Sequence, residues 1–313
     1  MKNILINDSY RKGSKSKSKI NLNDIQSIIS KGLSIKNQKN LDFINGVTTI
    51  DKPFSNRIIF IEKISECTKK RLNRIKSRSL FVVLPNSFLG KIKHPYLKVA
   101  NPREIFSKIV SRLFHYERDF WLIEDEIIAS DKLGEGTIIM NNVFIGKNSI
   151  LGKNCTVHPN VYIGPNTIIG NNVVIRPNTS LGHSGFGHIR SKRGKNKNLP
   201  HVGGLIIGNN VEIGATNTIA AGTIHPTVIE DNVATDDHVH IAHNCYVSKG
   251  TQFTAGAILG GSVTVGKNVF VGLNSTIKDG LSIGDEAFIG SSSNILKDVP
   301  CKALMIGNPA RVK

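Results

Sequence analysis

The sequence predicts a mainly β protein, a parallel β-helix of hexapeptide repeats preceded by a small α/β domain, and three observations support it. First, an aliphatic residue stands at every sixth position from Leu133 through Ile139, Ile145, Leu151, Val157, Ile163, Ile169 and Ile175 to Leu181. The register returns at Ile229 and runs through Ile241, Val247, Phe253, Leu259, Val265, Val271, Ile277, Ile283 and Ile289 to Ile295, interrupted by Thr235. Second, the fourth residue after the aliphatic one is small or β-branched, as at Ser149, Thr167, Val173, Cys245, Ala257, Val263 and Ser275. Third, Gly often follows the aliphatic position. A six-residue period fits neither the 3.6 of a helix nor a two-residue strand alternation, but it fits three short strands per coil, roughly 18 residues in all. The aliphatic side chain then points into a narrow lumen, and Gly or Asn accepts the positive φ that the corners need.

The N-terminal elements follow from local patterns. Residues 1–20, rich in Lys and Ser, read as a basic flexible arm. Residues 21–100 form the small α/β domain, with strands expected at Arg57-Ile58-Ile59-Phe60-Ile61 and Leu80-Phe81-Val82-Val83-Leu84 and a basic helix from about Thr68 to Arg78 between them. Residues 101–130 are a helix and connector, because Ile105, Ile109, Val110, Leu113 and Phe114 keep helical spacing and Pro102 suits a first helical turn. The repeats occupy 131–313 and carry an inserted loop at 182–206.

Composition narrows the function. The 313 residues leave room for two domains. No stretch approaches the ~20 apolar residues of a membrane span, and the start lacks the apolar core of a signal peptide. A cytoplasmic protein with at most peripheral membrane contact is expected. Cys67, Cys155, Cys245 and Cys301 are scattered, and two of them fill small-residue slots of the repeat, so they read as reduced packing residues. The formal charge of +18 is concentrated before residue 131, with 25 Lys/Arg against 12 Asp/Glu; the remainder is matched by Arg190, Lys192, Arg193, Lys195 and Lys197. Such charge attracts an anionic partner. No nucleic-acid motif accompanies it, so nucleic acid is not expected.

The register fails twice. Between Leu181 and Ile207 about 20 residues are extruded, and between Ile219 and Ile229 about four, around His225-Pro226. Loops on a rigid scaffold are where binding and catalysis concentrate. After the second failure come His225, His238, His240 and His243. His243 lies two positions beyond a lumen residue and therefore at a corner, and Gly261 stands one coil onward. An imidazole beside a free backbone N–H has the parts for acyl transfer: a general base and a donor for the oxyanion.

These residues also carry a family resemblance. Gly185-Phe186-Gly187, Leu199-Pro200 with Gly203, the run from Ile207 to Ala215, Thr227-Val228-Ile229, Asp236-Asp237 and Ile241-Ala242-His243-Asn244 together resemble the UDP-3-O-acylglucosamine N-acyltransferases of lipid A biosynthesis. Upstream, Ile58-Ile59-Phe60-Ile61 and Asn101-Pro102 look like that family's uridine-binding domain. The resemblance implies a left-handed β-helix, an acyl thioester donor on acyl carrier protein or CoA, a UDP-aminosugar acceptor and a homotrimer, with no metal or cofactor. It makes His243 the base for the sugar 2-amine, Asp236 its supporting acid and Gly261 the oxyanion donor. Phe60, Phe186, Asp237, Asn244, Arg190, Lys192 and Arg193 are the substrate-binding candidates. Seven residues of strand span roughly 20 Å, so Asp236 and His243 are expected to meet across a subunit boundary.

The chain departs from the family at several positions. The family's second histidine aligns with Gly280, its Asp-Arg pair with Ala220-Ala221, the Asn after its supporting Asp with Asp237, and a tyrosine of the uridine site is missing near Ser65. Gly307-Asn308-Pro309-Ala310-Arg311 resembles the closing segment of acetyltransferases of this fold, which makes an acetyl-CoA-dependent sugar-nucleotide acetyltransferase the alternative. Two further readings are a zinc-dependent enzyme like the β-helical carbonic anhydrases, using His201, His238 and His243, and a non-catalytic scaffold.

Overall fold

The computed structural model describes residues 15–29, 33–37, 43–51, 53–75, 80–114, 133–190, 194 and 196–312. The chain divides into two units, Met1–Leu122 with Gly187–Pro200, and Ile123–Phe186 with His201–Lys313. No helix among the described residues is long and apolar enough to cross a membrane.

In the first unit, β1 (Lys15–Ile20) pairs antiparallel with β2 (Ile44–Gly46), and α1 (Leu22–Ile28) follows β1. The sequence reading places Lys15–Ile20 in a flexible arm. The structure makes it a strand, and its Lys/Ser alternation has the two-residue period a strand needs. A parallel sheet contains β3 (Arg57–Phe60), β4 (Leu80–Pro85) and β5 (Tyr96–Val99), with β4 in the centre. All of Leu80 to Leu84 is buried, as a parallel strand covered on both faces requires. The basic helix α2 (Glu66–Arg74) links β3 to β4. Ser65 is its N-cap, with the Thr68 N–H donating to the Ser65 hydroxyl at 3.1 Å. Helix α3 (Pro102–Phe114) begins on Pro102, with Asn101 Oδ1 accepting from the Glu104 N–H at 3.1 Å. A hairpin of His188–Arg190 and Asn196–Asn198 also belongs to this unit, and Ser107 of α3 donates to the Asn198 carbonyl at 3.4 Å.

The second unit is the parallel β-helix. Its strands form three sheets of eight, seven and ten, each coil giving one strand to each sheet, and an antiparallel return of Ala310–Val312 on Leu304–Gly307 ends the largest. Ile241, Leu259, Ile277 and Ile295 stack in direct register, each 18 residues from the next, and their side chains are buried in the lumen. Corners are turned by Asn in the left-handed region, and the Asn142, Asn160 and Asn178 amides bond in series at 2.8 and 3.1 Å. The small slot has a bonding role as well as a steric one. Ser149, Thr251 and Ser275 each donate to a Gly carbonyl one coil on, and Cys155 and Cys245 place their thiols the same way. Burial pushes the Cys245 thiol up to about 12, consistent with an inert packing residue.

Thr235, the break in the aliphatic run, is matched by a second buried polar residue. Asn217 donates to the Thr235 hydroxyl at 2.6 Å and accepts from the Val239 N–H at 2.6 Å, so the pair is satisfied internally. The lumen residues stay stacked across both interruptions, with one register shift, between Leu181 and His183. Leu181 pairs with Ile219, one coil plus the 20 extruded residues away, and Ile219 pairs with Ile241 across the further four.

Ile241→Ala removes lumen contacts that the neighbouring coils cannot collapse to replace. It should cost about 2–5 kcal/mol in denaturant unfolding. Asn217→Leu, which strands the Val239 N–H and leaves the Thr235 hydroxyl with only the Gly214 N–H as donor, should lower stability despite adding apolar volume, by about 1–3 kcal/mol in the same assay.

Candidate active site

Both interruptions fall at the same corner on successive coils, between the eight-stranded and seven-stranded sheets. Three further coils present Ala242-His243-Asn244, Gly260-Gly261-Ser262 and Lys278-Asp279-Gly280 at that corner. The five segments surround a cleft of about 750 Å³. Its wall includes His183, Phe186, His240, His243, Gly261 and Asp279.

The expected neighbours meet. The Ser262 N–H donates to the His243 carbonyl at 2.8 Å, which fixes the two coils, and the imidazole lies directly over Gly261. A Cβ at Gly261 would sit 2.7 Å from His243 Cε1 and 2.9 Å from Nε2, so only glycine admits the ring. Gly185, from the first interruption, meets the other side of the residue, where a Cβ would come 2.9 Å from His243 Cβ. Among the described residues none accepts the Gly261 N–H, while its carbonyl accepts from Gly280 at 2.8 Å.

Asn244 determines the state of His243. Its Oδ1 accepts from both the N–H and the hydroxyl of Thr223, at 2.8 and 2.9 Å, because only an oxygen can face a backbone N–H. The Nδ2 is thereby turned to His243 Nδ1 at 3.0 Å. An amide nitrogen only donates, so the neutral ring in one chain holds its proton on Nε2. Thr223 belongs to the four-residue extrusion, which explains why the second interruption stands beside the histidine.

The remaining candidates are distributed as follows. Phe186 is 83 % exposed at the cleft wall. Asp236 lies on a different corner, with Arg176, Gln252 and Thr254 around a separate cleft of about 450 Å³. Its Oδ1 accepts from the Asp237 N–H at 2.8 Å, and Asp237 in turn accepts from the Ala215 N–H at 2.7 Å, bracing the corner. Phe60 packs against Phe106 with ring centroids 4.6 Å apart. The Arg190 backbone forms the hairpin strand His188–Arg190, and Lys192 and Arg193 lie outside the described residues.

The structure separates the histidines that the sequence groups together. His238 stands at the Asp236 corner and meets the Thr216 hydroxyl at 2.8 Å. One chain therefore does not bring His238 and His243 to a common metal ion, and among the described residues no three His, Cys, Asp or Glu are placed to hold one. His201, 1 % exposed, packs edge-on against His243 with centroids 5.2 Å apart, and its Nδ1 meets the Ser184 hydroxyl at 3.2 Å. His183 does not stand out in the sequence, yet it lines the cleft. Its offset from Leu181 equals that of His243 from Ile241, so coil register would have found it.

Comparison with known proteins bears on the repeats, the fold and the family. Family profiles for bacterial transferase hexapeptide (six repeats) match residues 132–165 and 148–183, and one for the hexapeptide repeat of succinyl-transferase matches 262–295. The UDP-N-acetylglucosamine acyltransferase structure from Bacteroides fragilis is similar over 58 % of this chain and 69 % of its own, at 22 % identity and a TM-score of 0.51, a likeness of fold alone. A UDP-3-O-acylglucosamine N-acyltransferase from Methylobacterium nodulans is 38 % identical over 131 residues, 42 % of this chain and 37 % of its own. The enzyme of that name from Helicobacter hepaticus is 32 % identical over 292 residues, 88 % of each chain. With that extent of similarity, the hexapeptide coils and the His243 corner in place, the chain belongs to the UDP-3-O-acylglucosamine N-acyltransferase family of acyltransferases.

Proposed function

We propose that the chain moves an acyl group from a thioester on acyl carrier protein to the 2-amino group of a UDP-3-O-acylglucosamine-like sugar nucleotide, working in the cytoplasm as a homotrimer. The observation that carries this reading is the His243 imidazole lying over Gly261, whose N–H no described residue accepts. The amine attacks the thioester carbonyl and a C–N bond forms. The carbonyl oxygen gathers negative charge beside the Gly261 N–H, and His243 Nε2 takes the amine proton. The C–S bond then breaks, and the thiolate leaves with the proton returned from His243.

To accept at Nε2, the ring must carry its neutral-state proton on Nδ1, opposite an acceptor. Within one chain Nδ1 faces the Asn244 amide, and Asp236 stands on another corner. A carboxylate delivered by a neighbouring copy would replace the amide as partner and move the proton to Nδ1, which supports an Asp236 shared across a trimer boundary. On this reading Asn244 and Asp237 act by positioning, Asn244 at the ring and Asp237 at the Asp236 corner. Phe60 is assigned to the uracil face, Phe186 to the acyl or sugar moiety, and Arg190, Lys192 and Arg193 to phosphates.

Purified protein offered a matrix of acyl carrier protein and CoA thioesters with UDP-aminosugars should yield an N-acylated UDP-3-O-acylglucosamine by mass spectrometry. Acetylation from acetyl-CoA alone would select the alternative donor. His243→Ala should lower kcat/KM by about 10²–10⁴-fold without dissociating the trimer; full activity in this variant would remove His243 as the base. Gly261→Ala should lose activity by at least about 10²-fold while retaining its melting temperature, since the added methyl meets a movable ring rather than backbone. Mixing inactive His243→Ala and Asp236→Ala chains should restore activity at roughly a quarter of the boundaries, because a shared site needs one intact residue from each neighbour.

A further inference from the structure

Two imidazoles in the cleft have no part in the transfer step. His183 and His240 line it together with His243, Ala220 and Asp279. They rise from neighbouring positions on the eight-stranded sheet, where Ser180, Thr218 and His240 stack in register and His183 pairs with Ala220. His240 is held at Nδ1 by the Thr218 hydroxyl at 2.7 Å, outside the cleft wall, and His183 by Ser180, whose hydroxyl stands 3.5 Å from Nδ1 and whose backbone carbonyl also bonds the ring. That leaves Nε2 as the edge available to the cleft. Ala220, which pairs with His183 and lines the same cleft, offers no polar group beside the two imidazoles.

The choice of partner matters. A carboxylate at Nδ1 would hold a histidine charged, and an amide donor, as at His243, holds it neutral at that nitrogen. A hydroxyl does neither, because it donates to a bare Nδ1 and accepts from a protonated one. His240 can therefore change charge without losing its orientation, while the Ser180 carbonyl, which only accepts, favours the charged form of His183.

We propose that His183 and His240 form a subsite for a phosphoryl group, binding its oxyanion through Nε2–H and taking up protons as it binds. The inference rests on the acyltransferase reading for the source of that group, which is either the diphosphate of the sugar nucleotide or the phosphodiester of a pantetheine arm. The charged and titratable groups facing the pair are His243 and Asp279, with His201 behind His243. Burial holds both imidazoles below the ordinary histidine value, and repulsion adds to it, His243 acting on His240 and His240 on His183, with the Ser180 backbone hydrogen bond partly offsetting the shift at His183. In the empty cleft the two imidazoles therefore carry less positive charge than an ordinary pair of histidines at the same pH. A bound dianion reverses the balance, so affinity falls as pH rises through the raised values of the bound state.

The test uses full-length protein and inorganic pyrophosphate, with calorimetry at pH 7 in two buffers of different ionisation enthalpy. Net proton uptake is expected, and His240→Gln and His183→Ser should each weaken binding about tenfold and reduce the uptake. His238→Gln, at another corner, should change neither. In wild-type protein, histidine NMR resonances should show the His240 titration moving upward when pyrophosphate is added, a readout independent of whether the variants fold. Binding without proton uptake, or an unmoved His240 titration, overturns the proposal. Repeating the series with UDP and with coenzyme A identifies the source by which ligand depends on His240; dependence in neither overturns it. These binding measurements stand apart from turnover, so a failed subsite and a failed acyltransferase reading give different results.

Discussion

Parallel strands must stack one hydrogen-bonded spacing apart, and everything in the larger unit depends on that constraint. Once Ile241 lies on Leu259 and Leu259 on Ile277, each residue of an uninterrupted coil has a neighbour 18 positions away at a fixed distance. The lumen fills because the stacked residues are aliphatic. The corners hold because stacked asparagines share their amides. The candidate site exists because a histidine stacks on a glycine, which leaves the ring somewhere to lie and leaves the backbone N–H beneath it uncovered.

This order tolerates exceptions only when they are complete. Thr235 would be a defect in an apolar lumen if its hydroxyl had no partner, but Asn217 one coil earlier supplies the partner and uses its own oxygen on Val239. The same economy operates at His243. Thr223 fixes Asn244, Asn244 fixes Nδ1, and the ring's protonation follows from two hydrogen bonds placed outside it. Positioning of this kind needs backbone accuracy, which a stacked coil provides and a free loop does not.

Much of this was legible in the sequence. The six-residue register located the lumen, both extrusions, and the pairing of His243 with Gly261, because each depends on spacing alone. Strands β3 and β4 were visible from their apolar runs, whereas β1 was hidden by side chains with no apolar face. His183 is legible only by its offset of two from Leu181, the same as that of His243 from Ile241, and not by the clustering that singles out the later histidines. The Asn244–Thr223 contact could not be read either, since it joins residues 21 positions apart across an extrusion of undefined path. His238, His240 and His243 look like one cluster in the chain, but the coil keeps only His240 and His243 at the cleft and sends His238 to the corner before it.

The two extrusions leave the coils above and below in register, and this bears on how such a protein can change. Insertions that lengthen a corner add wall to the cleft without asking the scaffold to refold, so loop length and composition are free to vary while the column of coils stays constant. Recognition and folding are then separable under selection: one lineage can exchange the side chains of a corner, or a short corner for a long one, against an unchanged mechanical frame. In engineering terms the corner is a cassette, and the column is the part to leave alone.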